Sequence, residues 1–441
     1  MKNIPKVSLF KVFKNRKSIL KNPLPFHSAN FERLGDIFNV KIGPSGTILF
    51  TRSPEFIKQI LQKNHKKYQK STLQTEDLAK YIGKGLLTSN GEHWRTHRRM
   101  VQPAFHKKKL EGLLGIMSSA IRKELKGITA NDIQDVLPLM GDLAFQVVAQ
   151  SLFSRDDIKE EMAELKRITE TNQQMLIREM RQPYMNWWFK LSGSINRHLE
   201  YSKEARELLN NIIEDRIDSE IEKDDLLDML LKARYEDGTP MSREQLIDEV
   251  LILFTAGHET TANALSFTLF LLAKNKEVQQ KAFENVSKVD LENENQLETI
   301  GQLSYIKQAI EEGMRLYPPA YYIDRMSTEE DRLGEHTIPK DTMILLAIYE
   351  LHRDVNFWVA PDEFRPERFD PSGKKGFQEY YYPFGAGPRM CVGNSFAIYE
   401  MVLAVAEILK KYELKTTSDE VEINPLISLR PKEVFLEFIT R

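Results

Sequence analysis

Phe384-Gly-Ala-Gly-Pro-Arg-Met-Cys391-Val-Gly393 decides how this 441-residue chain is read. Glycines at 385, 387 and 393 leave room for something flat and large to approach the backbone. Cys391 is the only cysteine, so neither an internal disulfide nor a multi-cysteine zinc site can form. It stands just ahead of a helical pattern that starts near Ser395 and runs to about Lys411. A helix start offers unpaired N–H groups and positive partial charge, and both favour a thiolate over a thiol. A thiolate held this way can be an axial iron ligand. A lone cysteine is otherwise a small buried hydrophobe; the glycines and Arg389 argue for the ligand. A dinucleotide loop is excluded, because its third glycine would fall on Met390.

Upstream, Ser242-Arg-Glu-Gln245 has capping-box spacing, and apolar residues follow in helical rhythm to about Ala273. That makes about 32 residues, roughly 48 Å of helix, enough to cross the whole molecule. Its middle, Ala256-Gly-His-Glu-Thr-Thr261, breaks the apolar pattern with polar residues and poor helix formers. Such a failure of local propensity marks a kink or a site. His258-Glu259 is not a zinc-protease motif, since position 262 is alanine where the second histidine belongs.

The rest of the composition is that of a globular protein, 41% hydrophobic and 29% charged. Lys+Arg at 62 against Asp+Glu at 64 gives a net charge of −2, which supplies no drive toward nucleic acid. No run of about 18 apolar residues is evident, so no membrane span is expected. Lys2, Lys6, Lys11, Lys14, Arg16, Lys17 and Lys21 all precede the first acid, Glu32. They mark residues 1–29 as a basic, solvated lead-in, with a peripheral-membrane or organellar address as the alternative. The acidic stretch Asp290–Glu298 is expected to be a surface loop. The chain reads as helical from about Ser71 to Leu316 and then turns loop- and strand-rich, with prolines clustered late. Short β-type runs at Val40–Phe50 and Val434–Ile439 bracket the helices. One interleaved domain over residues 30–441 is expected, rather than three in series.

These residues resemble a family. Phe384–Gly393 is similar to the haem-thiolate loop of cytochromes P450. Trp94-x-x-x-Arg98 resembles that family's propionate-binding helix, and Ala256–Thr261 its oxygen-activating helix centre. Glu312-Gly-Met-Arg315 and Pro366-Glu-Arg-Phe369 resemble its Glu-x-x-Arg pair and the segment whose arginine completes that network. Five motifs stand in family order from about residue 30 to the C-terminus. The resemblance implies a mainly α, single-domain cytochrome P450 fold with a smaller β-rich part. It implies haem b, with Cys391 as the iron's ligand and Phe384 packed beside the ring. Trp94, Arg98, Arg325 and Arg389 would meet the propionates, with His97 a weaker candidate. Glu259 and Thr260 would be the acid–alcohol pair that delivers protons during oxygen activation. Glu312, Arg315 and Arg368 would be structural.

The implied reaction is a monooxygenation using O2 and two electrons from separate partners, a ferredoxin or flavodoxin with its NAD(P)H reductase. Lys107-Lys108-Lys109 and Lys374-Lys375 are candidates for a basic docking face. The expected compartment is the cytoplasm. Tyr321, Tyr322 and Asp324 are polar enough to meet sugar hydroxyls, and Phe254 offers an apolar wall. The chain also resembles bacterial members that oxidatively demethylate 6-O-methyl-D-galactose with release of formaldehyde, and that is the leading substrate expectation. The motif style resembles bacterial members that hydroxylate fatty acids or other apolar molecules, and such a substrate is the alternative. A peroxide-dependent relative, which would not need Glu259 and Thr260, is the alternative of a different class.

Overall fold

The helix Arg243–Lys274 is the spine of the protein in the computed structural model, which describes residues 3–41, 46–155, 157–373 and 376–441. Lys2 and the Lys374-Lys375 pair lie outside the described residues. Ser242 Oγ accepts from Gln245 N at 3.2 Å and starts the helix as expected. The Gln245 side chain does not return to Ser242. It donates instead to Lys84 O at 2.8 Å and Glu249 Oε1 at 3.1 Å, so the box is half-built and its other half ties in a neighbouring loop. The stretch 256–261 stays helical. Thr260 and Thr261 satisfy their hydroxyls by donating one turn back, to Ala256 O and Gly257 O, each at 3.0 Å.

Three helices enclose the middle of this spine: Val136–Phe153, Ser304–Leu316 and Asn394–Lys411, the last beginning one residue before the sequence-based position. Val136–Phe153 corrects the expectation about membrane spans. With a mean hydropathy of 1.4 it is long and apolar enough to cross a bilayer by composition. Here it is a core helix, 67% buried, with Leu143, Val147 and Leu152 fully enclosed. Each such side chain contributes about 1.5–3 kcal/mol by leaving water.

The β-rich side is a six-stranded sheet. Its strands lie in the order Lys6–Val7, Ile37–Lys41, Thr47–Thr51, Met343–Ala347, Tyr322–Ser327 and Tyr68–Gln69. The basic lead-in supplies the first of these, with Val7 buried opposite Val40 in parallel register. Its following helices Leu9–Lys14 and Arg16–Lys21 stay at the surface, tied down by Lys11 Nζ on Asn30 Oδ1 at 2.8 Å. Phe38 and Phe50 face each other across the next pair and stack at 5.2 Å. The late strand Phe435–Thr440 pairs with both Tyr412–Lys415 and Ile133–Asp135, closing the C-terminus back onto the helical side. The acidic loop is shorter than expected. A helix, Gln296–Gln302, begins inside it where Asn295 Oδ1 accepts from Glu298 N.

Two further features brace the central helix and its neighbours. One is a hairpin, Ile423–Pro425 with Leu429–Pro431, whose turn reaches the middle of the central helix. The other is a buried ion-pair network under the helix Ser304–Leu316. Arg315 grips Glu312 through two bonds, 2.7 and 2.8 Å, and donates to the carbonyls of His352, Pro361 and Glu363. Arg368 reaches the same carboxylate at 3.1 Å. The three residues meet as the sequence motifs imply.

Candidate active site

The loop 384–393 turns through two left-handed glycines, Gly385 and Gly387, each with φ of 70°. A Cβ on Gly387 would sit 2.0 Å from Leu61 O. Its smallness therefore serves backbone packing against the segment Gln59–Lys63, not the approach of a ligand. Cys391 N donates to Phe384 O at 3.0 Å and closes the loop. The Cys391 side chain then faces a cavity of about 400 Å³ between the loop and the central helix. It is accessible from that cavity although protein packs around it. Burial pushes the thiol up, while the Gly393 N–H and the Arg98 guanidinium pull it back toward thiolate.

One end of the cavity is unusual in its charge. Lys70, Arg98, Arg325 and Arg389 all line it, and among the described residues their hydrogen bonds go to neutral acceptors. Arg325 donates to the carbonyl of its neighbour Asp324, and Arg389 to Asn90 Oδ1 at 2.7 Å. Arg98 donates to Met390 O and Gln102, and Lys70 to Leu86 O. Burial and the neighbouring Arg325 push Arg389 down to about 10, and Lys70 is lowered by burial, Arg389 and Arg325. Cations gathered this way, deep in protein with only neutral partners, call for an anionic group. Trp94 lies under Arg389, 4.6 Å from ring centre to guanidinium, and Phe384 forms the wall beside Cys391. A flat macrocycle with two carboxylates at one edge and a metal above Cys391 fits this donor set. Lys70 was not singled out from sequence, because nothing local separates one buried lysine from the other cations.

His97 points away from this cluster. It is buried, stacks on His93 at 4.2 Å, and places Nδ1 3.2 Å from Glu249 Oε1. Glu249 is fully buried and accepts from Leu86 N at 3.1 Å. Beside it Asp248 accepts from Lys84 N at 2.8 Å. A Cβ on Gly83 or Gly85 would strike these two carboxylates, so the pair of glycines lets the loop lie on the helix. Burial raises Glu249 to about 7, and burial lowers His97 to about 4. Both shifts disfavour an ion pair at neutral pH.

This pair has a consequence for stability. Between pH of about 4.5 and about 7 an unfolded chain releases the Glu249 proton while the folded one keeps it. Stability from this group therefore falls as pH rises through that window, by about 3 kcal/mol in total. His97 acts oppositely between about 4 and 6.5, where the unfolded chain takes up a proton first. Subtracting the melting temperatures of Glu249→Gln from those of the parent at each pH isolates the first effect. The difference should shift against the parent as pH rises from 4.5 to 7 and level off above.

On the central helix, Thr260 lines the cavity together with Ala256 and Gly257. Glu259, one residue earlier, turns to the side and accepts from Ser428 Oγ at 2.6 Å. His258 packs between Phe145 and Phe254 and donates through Nδ1 to Phe254 O. Phe254 itself is fully buried and does not line the cavity. Of the three polar candidates, only Tyr322 lines it, and its hydroxyl is shared with His27 Nδ1 at 2.8 Å. Tyr321 donates to Leu426 O at 2.7 Å. Asp324 accepts from Ser71 N at 3.1 Å and Gln74 Nε2 at 2.5 Å. The remaining wall is mainly apolar, with Leu87, Val148, Leu152, Ile252, Leu253 and Ile323, and also includes Gln74 and Thr261.

Lys107, Lys108 and Lys109 are exposed at the start of the helix Lys107–Glu124. Lys107 borders a second cavity of about 620 Å³, which shares Met314, Pro383 and Phe384 with the first.

A family model described as Cytochrome P450 matches residues 5–438. The cyclooctatin synthase of Streptomyces melanosporofaciens is 31% identical over 90% of this chain and 86% of its own length. The cyclooctat-9-en-7-ol 5-monooxygenase of the same organism is 29% identical, with 90% and 86% covered. The 11-oxo-beta-amyrin 30-oxidase of Glycyrrhiza uralensis is 29% identical, with 88% and 78% covered.

Proposed function

The chain belongs to the cytochrome P450 family and is a monooxygenase of that kind, and from this premise we propose that its substrate is an apolar small molecule hydroxylated above Cys391. One observation carries the substrate class. The cavity lined by Cys391 is mainly aliphatic away from the cations, and the hydroxyl or carboxylate of each expected polar residue, Tyr321, Tyr322 and Asp324, is already bonded within the protein. A site that recognises sugar hydroxyls keeps free partners for them. Two of the relatives bear the names of oxidations of cyclooctat-9-en-7-ol and 11-oxo-beta-amyrin, in keeping with this reading.

In this proposal the cofactor is haem b, held through Cys391 and through carboxylate contacts to Lys70, Arg98, Arg325 and Arg389, with Trp94 and Phe384 beside the ring. When bound, thiolate-ligated haem supplies reductive activation of dioxygen and insertion of one oxygen atom into a C–H bond. The chain's own residues do the rest. The aliphatic wall excludes water and orients the substrate by shape. Thr260 presents its hydroxyl to the cavity and holds a water there, and Glu259 passes protons inward. Thr260→Ala should leave haem binding intact and cut product formed per NADPH roughly tenfold, with hydrogen peroxide making up the balance. Full coupling in that variant would count against Glu259 and Thr260 as the acid–alcohol pair.

Members of the family take their electrons from redox partners. The proposed donor is a ferredoxin or flavodoxin with its NAD(P)H reductase, docking beside the exposed Lys107–Lys109, where opposite charge would speed encounter. The proposed compartment is the cytoplasm, which keeps a lone thiol reduced.

Oxidative demethylation of 6-O-methyl-D-galactose is the second reading, favoured by one feature. Gln74 Oε1 is buried at the cavity and has no hydrogen-bond partner, so it offers an acceptor to a substrate hydroxyl. Turnover with ¹⁸O₂, a ferredoxin and its reductase separates the two. The first reading expects hydroxylaurate carrying one ¹⁸O and no formaldehyde from the methylated sugar. Formaldehyde from the sugar, with laurate untouched, would reverse the order.

A further inference from the structure

Glu259 does not stand alone. Ser428 Oγ donates to its Oε1 at 2.6 Å, and Asn263 Nδ2, one helical turn on, donates to Ser428 Oγ at 2.9 Å. Ser428 and Asn263 are 6% and 2% exposed, so this three-residue chain is sealed against bulk water on its inner side. Ser428 lies in the turn between the strands Ile423–Pro425 and Leu429–Pro431. That turn is itself fastened. Tyr321 donates its hydroxyl to Leu426 O, Leu429 N donates to Pro319 O at 2.9 Å, and Leu426 N donates to Ser428 O at 3.0 Å. A tyrosine that looked like a substrate contact thus fixes the turn that carries Ser428.

We infer that Ser428 is a positioning residue for proton delivery: with Asn263 behind it and Tyr321 holding its turn, it sets the orientation of the Glu259 carboxylate beside Thr260. This rests on the reading of Glu259 and Thr260 as the acid–alcohol pair. The chemistry follows from the donor pattern. Asn263 fills one lone pair of the Ser428 oxygen, and the Ser428 O–H is donated to Glu259. A hydroxyl donated to a carboxylate fixes its rotamer. The acid then faces the hairpin at rest, and its second oxygen is free for water on the route to Thr260. The turn 426–429 couples the outer hairpin to the centre of the helix, so a displacement of the hairpin is read directly by the proton donor.

The test compares Ser428→Ala, Ser428→Thr, Tyr321→Phe and Thr260→Ala as haem-loaded proteins. Hydrogen peroxide released per NADPH consumed is measured across pH, with a plant ferredoxin and its reductase, both without added substrate and with laurate. Ser428→Ala should raise the peroxide yield roughly three- to tenfold across the pH range. Ser428→Thr, which keeps the hydroxyl, should restore the parent profile. Tyr321→Phe should shift it in the same direction by less. The carboxylate infrared band that disappears in Glu259→Gln should also shift in Ser428→Ala, a readout independent of turnover. An unchanged profile and band in Ser428→Ala, while Thr260→Ala is uncoupled, would overturn the inference alone. No effect in Thr260→Ala either would take the acid–alcohol reading with it. Should Ser428→Ala not retain haem, Tyr321→Phe carries the decision by the same two readouts.

Discussion

Cys391→Ala should give a folded protein that has lost its thiolate-ligand spectrum and at least about a thousandfold of its turnover. The fold should survive because the side chain contributes little packing. It faces the cavity, and the bond that closes its loop runs between backbone atoms, Cys391 N to Phe384 O. The glycine turns on one side and the helix Asn394–Lys411 on the other are untouched. Binding of the macrocycle should weaken without vanishing, since Lys70, Arg98, Arg325 and Arg389 still offer their positive edge. The thiolate is a different matter, as nothing else lining the cavity can give the iron an anionic sulfur. The carbon monoxide difference spectrum of the reduced protein, with iron counted per chain, checks this. A thiolate-type band that persists in Cys391→Ala would mean the iron is held elsewhere.

Arg315→Ala should fail earlier, at folding. Arg315 is wholly buried, and its removal leaves the Glu312 carboxylate short of its bidentate partner in a site that is 0% exposed. Breaking a buried pair by deleting one member costs about 3–5 kcal/mol. The carbonyls of His352, Pro361 and Glu363 lose a donor as well, each worth about 1 kcal/mol or more. Against a total stability of about 5–15 kcal/mol, that is enough to empty the folded state at growth temperature. Arg368→Ala should be milder. Its partner keeps Arg315 and the Arg365 N–H at 3.0 Å, and Arg368 itself is partly exposed. Soluble yield and melting temperature of the haem-loaded proteins rank the two. A soluble Arg315→Ala with parent stability and impaired turnover would assign the network to chemistry instead of architecture.

Some of this was legible without coordinates. A single cysteine among glycines ahead of a helix reads locally, and so does a capped apolar helix from Ser242 to Ala273. The Glu312–Arg315 pair is three residues apart on one helix and needs no fold to bring it together. What could not be read depends on distant partners or on helical phase. Phe254 is two residues from Ala256, about 200° around the helix, and so faces Phe145 while Ala256 and Thr260 face the cavity. Tyr321 finds its acceptor 105 residues away, and Tyr322 finds His27 at a separation of 295. Polarity in a loop announces only that a hydrogen bond will be made, not with whom. Lys70 and Glu249 were hidden for the same reason: burial, not residue type, gives each its meaning.

The chamber above Cys391 is tested most directly by titrating the purified ferric protein and following its Soret band, with laurate, 6-O-methyl-D-galactose and D-galactose added separately. A saturable shift to shorter wavelength with laurate, and none with either sugar, is the expected result, since an apolar guest displaces water from a mainly aliphatic wall whose one tyrosine hydroxyl, that of Tyr322, is already bonded. A saturable shift with the methylated sugar alone would contradict it.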